Sequence, residues 1–299
     1  MKACPVCSSA NADERLGLSG DYTMYRCGAC DVVYADPFKA PGAGWYESSE
    51  VYSVGRVITK DIEWHHRQVL KMRLPGKRLL DIGCGNGVFI SEAKKTGYDA
   101  WGLDFDARNI AIAKERYKLE NVFCMSVEAA LKTLGKNSFD IVTFFEVLEH
   151  LDAPEQFLED IKGLLSDRGV IALSVPNRER ALDTLGEGDA PPNHLTKWNA
   201  ASLKSFLERM GFTVISLIEK PLDHEDLNIY LKGKLRLRIA HNLVKEGLDA
   251  DDGAAIEKAR RLMRIKDAIF GALTYPPGML LRVFNLKAAG MVCTARFNS

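Results

Sequence analysis

The chain has 299 residues, with 40 basic and 40 acidic side chains in balance and an apolar fraction of 46% that supplies a core without surplus. Cancelling charge excludes a whole-chain field that would draw in nucleic acid. No run reaches the length of a bilayer-spanning helix and residues 1–5 lack the apolar segment of a secretory signal, so the reading is a cytoplasmic protein, one large domain with an appendage.

Cys4-Pro5-Val6-Cys7 and Cys27-Gly28-Ala29-Cys30 are two C-x-x-C pairs separated by nineteen residues. That spacing matches a four-thiolate zinc ribbon, because each tight turn presents two sulfurs. Four sulfurs leave no open coordination position, so the metal is expected to be structural. A module of residues 1–36 is too small for a core of its own, and metal binding would supply much of its folding free energy. A redox role for the pairs is the alternative. Cys84, Cys124 and Cys293 are expected to be buried or incidental. Residues 37–75 read as a Pro/Gly-rich linker and a cap helix reaching Leu74, with His65 and His66 expected to face solvent or a lid.

Leu79-Leu80-Asp81-Ile82 reads as a buried strand that runs into Gly83-Cys84-Gly85-Asn86-Gly87 and then a helix. Glycines permit a sharp bend and close approach to a ligand. Seventeen residues past Gly87, the strand Trp101-Gly102-Leu103 ends in Asp104. A carboxylate at that tip is placed to bind the two hydroxyls of a ribose, so the pairing predicts a nucleoside-bearing ligand. The G-x-G-x-x-G fingerprint is absent, and so is the Gly-Lys-Ser/Thr of a nucleoside triphosphate loop.

Phe139–Phe145 is a further strand, followed by Glu146-Val147-Leu148-Glu149-His150. Asp152 and Pro154 open a helix whose apolar face is Phe157, Leu158, Ile161, Leu164 and Leu165. Val170–Val175 is an apolar strand ended by proline. The loop Pro191-Pro192-Asn193-His194 follows, then a helix capped by Asn199 and stopped at Gly211, then the strand Phe212–Ile218. Strands alternating with helices predict a doubly wound, mostly parallel α/β sheet, closed at its edge by residues 290–297. Residues 221–286 interrupt the alternation. They show a stripe of Leu227, Leu231, Leu235, Ile239 and Leu243, and a second helix with Leu262, Ile265, Ile269 and Leu273 on one face, broken at Pro276-Pro277-Gly278. The period-two pattern of Lys232-Gly233-Lys234-Leu235-Arg236-Leu237-Arg238 leaves a strand open there. The insertion reads as a substrate lid, whose basic run and apolar tail also suit peripheral membrane contact or an anionic, lipid-linked substrate.

Asp81-x-Gly83-x-Gly85-x-Gly87, Asp104 and the Glu149-His150 segment together resemble class I S-adenosylmethionine-dependent methyltransferases, over roughly residues 76–220 plus a final strand at 287–299. The paired cysteines, Asp36-Pro37 and Trp45-Tyr46 resemble the front end of a subgroup acting on sugars, lipids and secondary metabolites. The resemblance implies a seven-stranded Rossmann-like sheet with an N-terminal zinc ribbon and a helical insertion before the last strand. It implies that Asp81, Gly83, Gly85 and Gly87 shape the methionine side of the cofactor pocket, Asp104 binds the ribose and Phe105 lies near the adenine. Ser126, Val127 and Glu128 reach the adenine edge, with Glu128 standing where aspartate is more frequent. Phe145 and Glu146 line the methyl-donor channel, and Tyr46 and Tyr52 either cover the cofactor or hold the ribbon to the sheet.

Methyl transfer to an alcohol or phenol needs a positioned nucleophile and a proton acceptor. His150 and His194, each after a strand on the same edge of the sheet, are the candidates. The expected function is methylation, at oxygen, of a small-molecule, sugar or lipid-linked glycan acceptor. An RNA base methyltransferase and a non-catalytic scaffold are the alternatives, the first weakened by Phe144-Phe145-Glu146-Val147 standing where many base N-methylating enzymes carry Asn/Asp-Pro-Pro-aromatic.

Overall fold

The protein is described from a computed structural model that covers residues 3–10, 13–42, 44–45, 62–234 and 253–298. Glu14–Ser19 (β1), Tyr22–Arg26 (β2) and Val33–Asp36 (β3) form an antiparallel meander. Its fourth strand comes from far along the chain: β9 (Thr196–Lys197) pairs with β3 through Val33↔Lys197 and Tyr34↔Thr196. The module expected at 1–36 is therefore completed by two residues of the large domain.

The large domain is built on a seven-stranded sheet of β4 (Arg78–Ile82), β5 (Asp99–Asp104), β6 (Val122–Cys124), β7 (Phe139–Phe145), β8 (Leu165–Pro176), β10 (Phe212–Pro221) and β11 (Lys287–Phe297), in the order β10-β11-β8-β7-β4-β5-β6. Five central strands run parallel, and β11 is antiparallel to both neighbours. The final strand was expected at the edge. It lies inside the sheet, and β10 is the edge.

Helices cover both faces, as a parallel sheet requires. They are α1 (Trp64–Met72), α2 (Val88–Lys95), α3 (Ala107–Tyr117), α4 (Val127–Leu134), α5 (Pro154–Leu164) and α6 (Ala200–Arg209). Successive strand residues point to opposite faces. Leu80, Val142, Phe144 and Leu173 accordingly join one core with Leu158, Ile161, Phe206 and Leu207, while Leu79, Ile141 and Phe145 join another with Phe89, Ile90 and Ala113. At about 1.5–3 kcal/mol for each fully buried large aliphatic or aromatic side chain, these two layers dominate the stability.

Two helix boundaries differ from expectation. Asn199 caps α6 through a reciprocal capping box with Ser202, as expected. Asp152 does not cap α5, whose N-cap is Ala153 with Pro154 in its first turn. Its carboxylate instead accepts from the Ala40 amide at 3.0 Å and pairs with Lys39, clamping the linker to the domain. In the insertion, α7 (His224–Lys234) packs against α8 (Gly253–Leu281), which runs through Pro276 and Pro277 instead of breaking there. Leu262, Ile265, Ile269 and Leu273 are exposed. Residues 232–234 of the run that left a strand open are helical, at the end of α7; the rest of that run, Leu235, Ile239 and Leu243 lie outside the described residues, as do Tyr46 and Tyr52. No helix among the described residues is long and apolar enough to cross a membrane.

Candidate active site

The chain reverses its winding between β4 and β7, which place ligands in α/β sheets at the carboxyl ends of those strands. The turn after β4 is sewn to the end of β5: the Gly83 and Cys84 amides donate to the Leu103 carbonyl at 2.8 and 2.9 Å. Gly83 has φ 75°, and a Cβ there would lie 2.8 Å from Val147 Cγ2. Only glycine passes between the two strand ends. Gly87 plays a different part from that expected. It caps α2 at φ 82°, its absent Cβ leaves room for Ala113 and Leu119, and it does not line the cavity.

Asp104 is buried at the tip of β5. It accepts from the Gly85 amide at 2.8 Å, the Asp106 amide at 2.8 Å and Asn109 Nδ2 at 3.3 Å. Burial raises its pKa despite these donors. Asp81, at the end of β4, accepts from Thr143 Oγ1 at 2.7 Å, and burial pushes its carboxyl up to about 8. Both carboxyls face a cavity of about 890 Å³, which Gly83, Gly85, Phe105, Ser126, Val127, Glu128, Phe145 and Glu146 also line. Ser126 caps α4 by accepting from the Ala129 amide, and Glu128 pairs with Lys132 at 2.5 Å in the first turn. Phe105 is half exposed.

A second wall was not read from the sequence. His65 and His66 do not face solvent: both line the cavity from α1. His65 stacks on Phe145 with ring centroids 5.2 Å apart, and His66 stacks on Phe89 at 5.1 Å. Burial depresses their pKa values, to about 4 for His65 and about 2 for His66, so both rings are neutral near pH 7. The insertion expected to act as a lid contributes no described residue to the lining.

Beyond β7 the backbone turns at Glu146, a non-glycine residue with φ 53°. Its carboxyl accepts from Ser174 Oγ at 2.7 Å, and burial pushes it up to about 7. The next turn, Leu148–His150, buries Glu149 completely, and neither of its carboxyl oxygens meets hydrogen-bond geometry with a partner. Burial, reinforced by Glu146, raises its pKa well above the usual carboxyl range. The sequence signal was the Glu149-His150 pair itself, of which only the histidine was assigned a role.

His150 is on the cavity wall with Nδ1 2.7 Å from the Asn193 carbonyl, which can only accept, so Nδ1 carries the proton. Burial, then the neighbouring His194, depresses its pKa to about 3. His194 does not line the cavity. It stands behind His150, ring centroids 4.7 Å apart and nearly perpendicular. The sequence placed both histidines on one edge, and the structure puts one in front of the other.

In the N-terminal module the two cysteine turns have matching geometry. The Ser8 amide donates to the Cys4 carbonyl, the Asp31 amide to the Cys27 carbonyl, and Val6 and Ala29 amides reach Cys4 and Cys27 Sγ at 3.4 Å each. Cys4–Cys30 and Cys7–Cys27 sulfurs are 3.9 and 3.6 Å apart. A tetrahedron with zinc–sulfur bonds of about 2.3 Å has edges of about 3.8 Å, so the four side chains fit that donor set.

Residues 59–217, more than half of the chain, match the model of a family described as methyltransferase domain. The chain belongs to this methyltransferase family. A probable S-adenosylmethionine-dependent methyltransferase of Mycolicibacterium smegmatis is 30% identical over 204 residues, covering 67% of this chain and 70% of the relative. A ubiquinone biosynthesis O-methyltransferase of Bordetella avium is 30% identical over 153 residues, 50% of this chain; the chain spans 62% of that relative's length. Among solved structures, phosphoethanolamine N-methyltransferase 2 of Haemonchus contortus in complex with S-adenosylmethionine shares the fold, with a TM-score of 0.55 at 15% identity, covering 86% of this chain and 60% of the other. A Thermotoga maritima S-adenosylmethionine-dependent methyltransferase shares it at 0.52 and 15%, covering 85% and 98%. The matched residues include the strands and turns that line the cavity at the switch point of the sheet.

Proposed function

We propose that this methyltransferase methylates a hydroxyl of a small-molecule, sugar or lipid-linked acceptor, with His150 taking the hydroxyl proton. The observation that carries the reading is a neutral imidazole on the cavity wall, its Nδ1 proton committed to the Asn193 carbonyl. In that tautomer Nε2 is the basic nitrogen of a ring that the Asn193 and Glu146 backbone also hold in place. The ubiquinone relatives, named as O-methyltransferases, support oxygen as the acceptor atom.

S-adenosylmethionine, when bound, supplies the electrophilic methyl group. Gly83 and Gly85 would let the backbone approach it closely, and Asp81 would hold its methionine part. Asp104 would accept from the ribose hydroxyls, and Phe105, Ser126, Val127 and Glu128 would hold the adenine. Phe145 and Glu146 border the path to the acceptor, where His65, His66 and Phe89 exclude water. The protein's contribution is placement: a hydroxyl held in line with the methyl group, with a proton acceptor beside it.

The Cys4, Cys7, Cys27 and Cys30 cluster is proposed to hold a structural zinc ion, with all four positions filled by sulfur. The exposed apolar residues of α8, beside Lys258, Arg261 and Arg264, favour an acceptor or surface with lipid character.

The test is calorimetric titration of S-adenosylmethionine and its demethylated product into wild type and Asp104→Ala. Micromolar binding weakened tenfold or more by the substitution, about 1.4 kcal/mol, is expected. No binding to folded wild type would overturn the site assignment. A hydroxyl-acceptor screen with His150→Gln as control then tests the oxygen reading.

A further inference from the structure

A buried neutral histidine is available as a proton acceptor, but burial also weakens it as a base. Its use then depends on the ring being held in one orientation by the groups packed behind it. Behind His150, and reaching it through His194, stands Asp189, a residue that no sequence motif marks. Asp189 ends the short turn Gly186–Asp189 and is almost fully buried. Its Oδ1 faces His194 Nδ1 at 3.0 Å, while Oδ2 accepts from Arg180 at 2.6 Å and Lys197 at 2.8 Å. Arg180 also binds Asp183 at 2.9 Å.

Burial by itself would raise the Asp189 pKa, but the His194 hydrogen bond and the two cations outweigh it and hold the group well below the carboxylate range. Asp189 is therefore ionised, and an ionised carboxylate only accepts hydrogen bonds. His194 must present an Nδ1–H to it. The ring so oriented stands edge-on to His150. The loop is pinned at both ends of His194: its own amide donates to the Ala190 carbonyl, and the Leu195 amide donates to the Glu149 carbonyl at 2.8 Å.

We propose that Asp189 is the positioning residue of the acceptor side, fixing His194 in the Nδ1–H tautomer and, through that ring, setting the orientation of His150. This rests on the reading of His150 as the proton acceptor.

The test needs no acceptor. Long-range proton–nitrogen spectra of protein labelled at histidine nitrogens report the tautomer of each ring, with His194→Gln and His150→Gln assigning the two signals. Wild type is expected to show His194 protonated at Nδ1 and bare at Nε2. Asp189→Asn is expected to move His194 away from that single tautomer and to shift the His150 signals. Affinity for the demethylated cofactor should stay within threefold, since Asp189 lies outside the cofactor end. Wild-type His194 protonated at Nε2 alone would overturn the proposal, and that result is readable even if Asp189→Asn does not fold. Unmoved His150 and His194 signals in a folded Asp189→Asn would overturn it too. Neither outcome touches the role of His150, which is read separately from methyl transfer by His150→Gln.

Discussion

The guanidinium of Arg178 binds the carboxylate of Asp31 at 2.7 Å, joining the chain just after β8 to the residue that follows Cys30. Asn199 Nδ2 reaches the same carboxylate at 2.9 Å, and Arg209 donates to the Val6 carbonyl inside the first cysteine turn. The Ala35 amide donates to the Leu195 carbonyl, one residue past His194. The cysteine module thus grips the segment that carries the second histidine.

Stripping metal with a chelator should therefore loosen the acceptor side first. Hydrogen exchange in residues 193–199 is expected to rise at least tenfold, while the demethylated cofactor still binds within a fewfold of its original affinity. Metal analysis should give one zinc ion per chain before treatment. Unchanged exchange in 193–199 after complete zinc loss would show that the module is not coupled to the loop.

Gly83→Ala meets two obstacles at once, a left-handed backbone and a methyl 2.8 Å from Val147 Cγ2. The backbone penalty alone is about 1–2 kcal/mol. Chemical denaturation should show at least that loss, together with weaker cofactor binding. Adding Val147→Ala should recover the steric part and leave the conformational part. Full recovery would mean that φ at this position carries no cost.

Asp81 gives a pH dependence of definite sign. Its folded pKa of about 8 exceeds the unfolded value near 4, so the folded state binds the extra proton between those limits. Stability of the cofactor-free protein consequently falls as pH rises from about 4 to about 8. Asp81→Asn keeps an acceptor for Thr143 and removes the titration. Its melting temperature should exceed that of wild type at pH 8, with the gap closing toward pH 4, while cofactor affinity drops. A constant gap across this range would rule out Asp81 as its source.

His65 works in the opposite direction. The unfolded ring protonates below about pH 6.5 and the folded ring only near 4, so its contribution is present above 6.5 and is lost as pH falls through 4. From pH 6.5 to 5 the loss approaches about 2 kcal/mol. His65→Phe, which preserves a ring against Phe145, should flatten that acid limb in denaturation curves. An equally steep limb in the variant would assign the acid sensitivity elsewhere.

Much of the cofactor side was legible because its determinants are local. The turn at Gly83 and Gly85 and the acid at Asp104 lie at strand ends, where a short run of sequence fixes backbone shape. The acceptor side depends on meetings between distant segments. His65 and His66 read as surface residues because a nine-residue helix with mixed polarity does not reveal that Phe89 and Phe145 will cover it. The family resemblance places Gly87 in the pocket, but only with α3 in position does it show as making room for Ala113. The prolines of α8 suggested a break by a rule about isolated helices.

The sequence by itself determined the alternation of strands and helices, the glycine turn, the acidic strand tip and the paired cysteines, since each follows from residue spacing of a few positions. Only the tertiary structure decided that β11 lies inside the sheet, that β9 completes the cysteine module, and that Glu149, His150, His194 and Asp189 adjoin one another. Those outcomes depend on burial and on contacts between distant residues, such as Asp31 and Asn199, 168 positions apart, and Val6 and Arg209, 203 apart. The free energy of such contacts exists only once the chain has closed.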